Sequence, residues 1–350
     1  MEIRTLLVDG NYLLKRSYFG AKDAYTASFG SIGGLYGFLT TIRKLIKEHQ
    51  INKVVVCWDG ENGGIDRYRL DRAYKANRKD KSWHTKIELT DAEIKREQAK
   101  DESILKNKKR IQQYIEELFI RQIEVDEIEA DDLIAAYCMY NSKKEIIFLF
   151  TNDRDFVQLL EYNITIIFGN LPHPTTKLNF HYDFDYHYSN GLIMKIIGGD
   201  VADNIQGIAG IKEGALIKHF PDIKFRKLTV REICQRAKVI NEERIINKQK
   251  PLKIFENLLN NIDRLKLNYL LTNLSEPFLN DQAKEELAQL DMPLSPVNRG
   301  SKNLYKLMIE DGFLTIFTGG NFVNYLEPFY TVVMFEKQLL TNYTNSQRKK

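Results

Sequence analysis

The strongest constraint on this chain is an alternation in its first half, where short apolar runs are separated by amphipathic stretches. Ile3 to Val8 reads as a buried strand, Val54 to Trp58 as a second, Arg121 to Val125 as a short third, and Glu145 to Phe150 and Ile164 to Phe168 as two more. Between them, Ile32 to Glu48 carries Leu35, Phe38, Leu39, Ile42, Leu45 and Ile46 at helical spacing. Lys106 to Phe119 and Ala130 to Tyr140 read as further helices, and Phe156 to Leu160 as a helical turn. Strands interleaved with helices predict an α/β fold, with a mainly parallel central sheet flanked by helices on both faces.

After about residue 185 the pattern turns helical, with Gly191 to Ile197 and Gly214 to Phe220 as helices joined by a glycine-rich turn. From about residue 223 onward helical segments dominate, with 313–335 open to strands. A chain of 350 residues is long for one domain. The expected organisation is an α/β domain over 1–185, a hairpin region over 186–222 and a mainly helical C-terminal extension over 223–350. Residues 77–110 interrupt the alternation with a highly charged, apolar-poor segment, which is not a core segment.

Bulk charge decides little, because 51 Lys and Arg stand against 47 Asp and Glu. The placement of the signs decides more. Asp9 ends the first strand and Asp59 the second. Glu129, Asp131 and Asp132 open a helix just past a short strand, and Asp153 and Asp155 follow Phe148-Leu149-Phe150. Parallel strands place their C-terminal ends on one edge of the sheet, where such folds bind ligands. Four segments are therefore expected to deliver carboxylates to one place, and Asp200 and Asp203 in Gly-Asp-Val-Ala-Asp-Asn add a fifth. Any one of these acids alone reads equally well as a turn or a helix-capping residue. Together they make a costly concentration of like charge unless cations neutralise it. Two Mg²⁺ ions, which prefer carboxylate oxygens and retained water, would do so and would suit phosphodiester cleavage.

Basic residues follow Asp59 closely: Arg67, Arg69, Arg72, Lys75, Arg78, Lys79 and Lys81. They suit phosphate contacts, and Tyr74 and Trp83 among them suit base stacking; a solvated basic helix face is the plainer alternative. Lys75 is the candidate electrophile beside the scissile phosphate. The turn Gly207-Ile208-Ala209-Gly210-Ile211 suits backbone contacts to phosphate at helix N-termini. Cys57, Cys138 and Cys234 form no zinc-like spacing and fit a reducing compartment. No signal peptide is apparent and no apolar run reaches membrane-span length, so a cytoplasmic protein is expected.

These stretches resemble the flap endonuclease family, meaning the 5′ nuclease domains of bacterial DNA polymerase I and the stand-alone phage and bacterial 5′–3′ exonucleases. The matching residues come in family order. Val8-Asp9-Gly10-Asn11-Tyr12 is similar to the opening motif, with Arg16 where the family often has a phosphate-binding arginine. Tyr74-Lys75-Ala76-Asn77-Arg78 is similar to the Tyr-Lys-x-x-Arg motif, and Glu129-Ala130-Asp131-Asp132 to the Glu-Ala-Asp-Asp motif. Thr151-Asn152-Asp153-Arg154-Asp155 and Gly199-Asp200-Val201-Ala202-Asp203-Asn204 match the later acidic elements.

The resemblance spans about residues 1–222 and implies a PIN-like 5′ nuclease fold. It implies one metal site from Asp9, Asp59, Glu129, Asp131 and Asp132, and another from Asp153, Asp155, Asp200 and Asp203. Mg²⁺ is the implied ion, with Mn²⁺ able to substitute. Lys75 and Arg78 would contact the scissile phosphate. Residues 77–110 would form a helical arch, and Gly207, Gly210 and Lys212 would lie in a DNA-gripping helix-hairpin-helix. Family members often bind K⁺ in that turn, but here Lys212 replaces its second glycine. The implied substrates are DNA with 5′ single-stranded flaps or ends, with RNA–DNA hybrids as a further class. The implied setting is a monomer working beside a polymerase or single-strand-binding protein, in a bacterial cell or encoded by a phage. The alternatives are a PIN-like ribonuclease and a non-catalytic, structure-specific DNA-binding protein.

Overall fold

The computed structural model describes residues 2–21, 24–77, 91–317 and 321–348. The chain begins with β1 (Arg4–Asp9), α1 (Gly10–Gly20), the short β2 (Tyr25–Thr26) and β3 (Gly30–Ser31), α2 (Gly33–His49), β4 (Lys53–Asp59) and α3 (Ile65–Leu70). It continues through α4 (Asp91–Glu117), β5 (Arg121–Val125), α5 (Ala130–Asn141), β6 (Ile146–Thr151), a 3₁₀ helix (Arg154–Tyr162) and β7 (Thr165–Phe168). Next come α6 (Gly191–Gly198), the pair β8 (Gly199–Asp200) and β9 (Ile205–Gln206), α7 (Glu213–His219), α8 (Val230–Ile246), α9 (Lys253–Asn260) and α10 (Ile262–Thr272). The last elements are α11 (Asp281–Gln289), α12 (Ser301–Glu310), α13 (Asn321–Leu326) and α14 (Phe329–Gln347).

Two compact units result, and neither follows chain order. One comprises Met1–Glu61, Glu88–Asn152 and Leu279–Lys350; the other comprises Asn62–Ile87 and Asp153–Phe278. The C-terminal region is thus shared, with 223–278 in the second unit and 279–350 in the first.

In the first unit β5, β4, β1 and β6 lie side by side in that order, all parallel. Val8 pairs with Val56 on one side and Phe150 on the other, so Asp9, Asp59 and Thr151 emerge at one edge. Leu6, Leu7, Val8 and Val54 to Trp58 are fully buried, as expected for strands covered on both faces. Phe38 of α2 stacks on Trp58, ring centroids 5.6 Å apart.

The turn after β4 has no room for a side chain. A Cβ on Gly60 would stand 1.7 Å from the Val125 carbonyl oxygen, and the Gly60 N–H donates to Ile128 O at 3.0 Å. Gly60→Ala is therefore expected to force β4 and β5 apart at the edge that carries Asp59. The cost should lie at the upper end of about 1–3 kcal/mol. Chemical denaturation would measure it, and a cost near zero would show that the turn gives way freely.

Three elements add to the sequence reading. Gly10–Gly20 is helical although its apolar spacing is weak; Asp9 caps it by accepting the Tyr12 N–H at 3.0 Å. The described residues of 313–335, a stretch open to strands, are mostly helical, with no strand among them. There Phe329, Val332, Phe335 and Glu336 bury one helix face, and packing overrides the β preference. Of the expected arch at 77–110, residues 78–90 lie outside the described residues, and 91–110 form most of α4. Toward its end α4 is tied to α2 and β3 of the same unit through buried Asn107. That side chain accepts from Leu35 N at 3.2 Å and donates to Ser31 O at 3.1 Å.

Candidate active site

The first unit gathers its acids on the carboxyl edge of the sheet. Asp9 is 9% exposed, Glu129 2% and Asp132 1%, while Asp59 and Asp131 are half-buried. Buried carboxylates need partners, and backbone and side-chain donors supply them. Asp9 accepts from Thr151 Oγ1 at 3.1 Å in addition to its helix-capping bond. Asp59 accepts from the Ala130 N–H at 2.9 Å, which ties the end of β4 to the first turn of α5, where Glu129, Asp131 and Asp132 stand.

Asn11 completes this arrangement, donating from Nδ2 to Asp59 Oδ2 at 2.6 Å. A carboxylate would repel the amide oxygen, so the amide orientation is fixed. Its oxygen, Oδ1, is then buried without a hydrogen-bond partner. Arg16 is exposed on α1, with its guanidinium 5.5 Å from the Phe150 ring centroid.

The second unit holds the other acids around a lysine that sequence reasoning missed. Lys195 of α6 forms ion pairs with both Asp155 and Asp200. Burial disfavours its ammonium, but the two carboxylates outweigh that and raise its pKa. Asp200 is lowered: burial opposes, while Lys195 and the N–H groups of Ala202 and Asp203 prevail. Burial, then the charge of Asp153, push Asp155 upward against the pull of Lys195. Asp153 is exposed and accepts from the Asp155 N–H at 2.8 Å. The only hint of Lys195 in the sequence is its place as a lone charge in the apolar helix Gly-Leu-Ile-Met-Lys-Ile-Ile-Gly.

The basic segment is clasped to the Asp200–Asp203 loop. Lys75 N donates to Asp203 O at 2.8 Å, Asn77 Nδ2 to Val201 O at 3.0 Å, and Asn204 Nδ2 to Ala73 O at 2.7 Å. Lys75 itself is 5% exposed, its Nζ lies 3.8 Å from Asp203, and its backbone takes φ 53°. A buried lysine in the left-handed region is a strained residue, and such strain concentrates at functional sites.

Other expected nucleic-acid contacts prove to be internal. Arg67 is 3% exposed, donates to Leu271 O at 3.0 Å and lies over the Phe278 ring. Tyr74 is 3% exposed, packs with Ile205 and Leu271, and donates from its hydroxyl to Asp203 at 3.4 Å; stacking on a base is not open to it in this conformation. A side chain's type does not reveal which way it points, and both of these point inward. Arg69 and Arg72 are exposed, the first paired with Asp66 and the second over the Tyr68 ring. Arg78, Lys79 and Lys81 lie outside the described residues.

In the hairpin, Gly210 takes the positive φ (84°), while Lys212 is extended at φ −118° and turns inward, donating to Gly198 O at 2.6 Å. Gly207 packs directly on Gly198, where a Cβ would stand 2.2 Å from the carbonyl oxygen. Asn257 donates to Ala209 O at 3.0 Å, so the carbonyls of Gly198 and Ala209 already accept from side chains of the second unit.

Divalent cations suit this donor set. The acids supply hard oxygen ligands, and beside Asp59 the buried Asn11 oxygen still lacks a donor. Among the described residues no three acidic, histidine or cysteine side chains already converge closely enough to hold an ion. Protein donors and the Lys195 ammonium engage the carboxylates instead.

Residues 4–185 match the family model described as the 5′–3′ exonuclease N-terminal resolvase-like domain. The 5′–3′ exonuclease of Mycoplasmopsis pulmonis is 27% identical over 308 residues, covering 79% of this chain and 95% of the relative. That span exceeds residues 1–222, so the likeness continues into the C-terminal region. The 5′–3′ exonuclease of Halalkalibacterium halodurans is 31% identical over 219 residues, 59% of this chain and 66% of its own length. The T5 5′-exonuclease structure with bound zinc shares the fold, with a TM-score of 0.60 at 19% identity, over 89% of this chain and 99% of that one.

Proposed function

Because the chain belongs to the 5′–3′ exonuclease family, we propose that it is a Mg²⁺-dependent 5′ nuclease acting near 5′ single-strand/duplex junctions of DNA. The observation that carries this reading is the set of buried carboxylates on the carboxyl edge of a parallel sheet, Asp9, Glu129 and Asp132 beside Asp59. Asp9, Asp59, Glu129, Asp131 and Asp132 would hold one ion, and Asp153, Asp155, Asp200 and Asp203 another. Bound there, Mg²⁺ would lower the pKa of water and neutralise charge on the phosphodiester oxygens. Asn11 orients Asp59, and Thr151 orients Asp9. Lys75 presents its ammonium to a phosphate oxygen. The hairpin at 207–214 offers backbone amides to the duplex. Primer and flap removal is the cellular role these features suit, with RNA–DNA hybrids as a further substrate class. Among the described residues no helix is long and apolar enough to cross a membrane.

Cleavage of a 5′-labelled flap duplex tests the proposal. Cutting at the junction is expected with Mg²⁺ or Mn²⁺, to stop with EDTA, and to fall at least about 10²-fold in Asp59→Asn and in Asp153→Asn. Tight flap binding with no cutting under any divalent ion would sink the enzyme reading and leave the DNA-binding one. Cutting of single-stranded RNA in preference to the flap would favour the ribonuclease.

A further inference from the structure

Away from the acids, the first unit carries a groove of about 550 Å³ between the end of α4, the start of α12 and one face of α13 and α14. Its floor is apolar. Leu118, Leu304, Leu326 and Phe329 are buried beneath it, while Tyr330 and Met334 are left 47% and 64% exposed. Charge around the groove is mainly positive. Lys302 and Lys337 are exposed and enter no ion pair among the described residues. Arg299 adds a third cation, shared with Glu116 at 2.9 Å. The lining's one carboxylate, Glu117, is occupied: it accepts the Gly300 N–H at 2.7 Å and faces Asn303. Ser301 and Lys302 open α12, so the positive end of that helix adds to the same field.

We propose that this groove docks a short acidic segment of another protein. Its carboxylates lie against Lys302 and Lys337, and a bulky apolar side chain covers Tyr330 and Met334 above that floor. Both halves of the ligand follow from the groove. A nucleic-acid strand satisfies the cations but finds only one well-exposed ring in the lining, Tyr330, to stack on, and leaves Met334 uncovered. An uncharged apolar peptide leaves the cations unanswered. The segment Ser346-Gln347-Arg348-Lys349-Lys350 carries the wrong sign. An exposed, flexible methionine over a preformed apolar floor suits a side chain whose shape varies between partners, and a cationic rim sets orientation and encounter rate.

Fluorescence anisotropy of the full chain tests this. The probes are labelled synthetic peptides in which a run of Asp and Glu is followed by Leu, Phe or Trp. Matched controls carry Lys for the acids or Ser for the apolar residues. The acidic–apolar peptides are expected to bind at least about tenfold more tightly than either control. Lys302→Glu with Lys337→Glu, and separately Met334→Glu, should each weaken binding by about tenfold or more, while flap cleavage and the circular dichroism spectrum stay at the parent level. Three results would overturn the proposal: no preference over the controls, binding unchanged in the variants, or displacement of the peptide by single-stranded DNA that binds with the same variant sensitivity. Flap cleavage by the parent is read in the same samples, so failure of the groove and failure of the nuclease reading remain separate.

Discussion

Lys75→Ala is expected to slow flap cleavage about 10²–10³-fold while flap binding weakens far less, because the lost group acts on charge that develops in the transition state. The structure supports that role in three ways. The side chain is buried (5% exposed), so its charge is little screened by solvent. Asp203, itself a candidate metal ligand, lies 3.8 Å from Nζ, and the Lys75 N–H is fixed to the Asp203 carbonyl at 2.8 Å. The backbone sits at φ 53°, where any residue with a Cβ is strained by about 1–2 kcal/mol. That strain separates chemistry from folding. Alanine keeps it and glycine removes it, so Lys75→Gly should be more stable than Lys75→Ala by about 1 kcal/mol. Both should cut equally slowly. Single-turnover cleavage and denaturant titration of the two variants give both readings. Parent-like cleavage in either one removes Lys75 from the site.

The parts of the candidate site whose placement was legible in the sequence are those that depend on strand direction alone. Asp9 and Asp59 terminate apolar runs, and a parallel sheet sends both to one edge whatever the side chains around them do. Glu129 to Asp132 were legible for a similar reason, since a helix start after a strand has few places to go. What failed to show was anything decided by packing. Arg67 and Arg69 are two residues apart on one short helix; the first is buried under Leu271 and Phe278, and the second is exposed beside Asp66. Composition scores them alike. Lys195 escaped notice because its pairing is visible only once α6 brings it to Asp155 and Asp200. The hairpin shows the converse. Lys212 stands where the family has its second glycine, yet Gly210 supplies the positive φ and Lys212 needs only extended backbone.

The same distinction governs residues 279–350, whose several ties to the first unit include one buried pair that sequence separation conceals. Arg121 of β5 and Glu336 of α14 are each 1% exposed and form a bidentate pair at 2.8 and 2.5 Å. The remaining guanidinium nitrogen donates to the carbonyls of Leu290 and Met292 at 2.7 and 2.6 Å. One side chain therefore ties the edge strand to α14 and to the segment after α11. Removing one partner of such a pair leaves a buried charge, and Glu336→Ala is expected to cost about 3–5 kcal/mol. Replacing both partners, Arg121→Met with Glu336→Leu, should recover most of that, because the desolvation of two charges goes with them. Trp58, buried in the same unit and stacked on Phe38, reports the transition in urea once Trp83→Phe removes the other tryptophan. Well below the transition, flap cleavage by Glu336→Ala should match the parent, the opposite of the Lys75 variants. A loss under about 1 kcal/mol, or a double variant no better than the single, would mean that apolar contacts of α14 hold the region and the ion pair only rides on them.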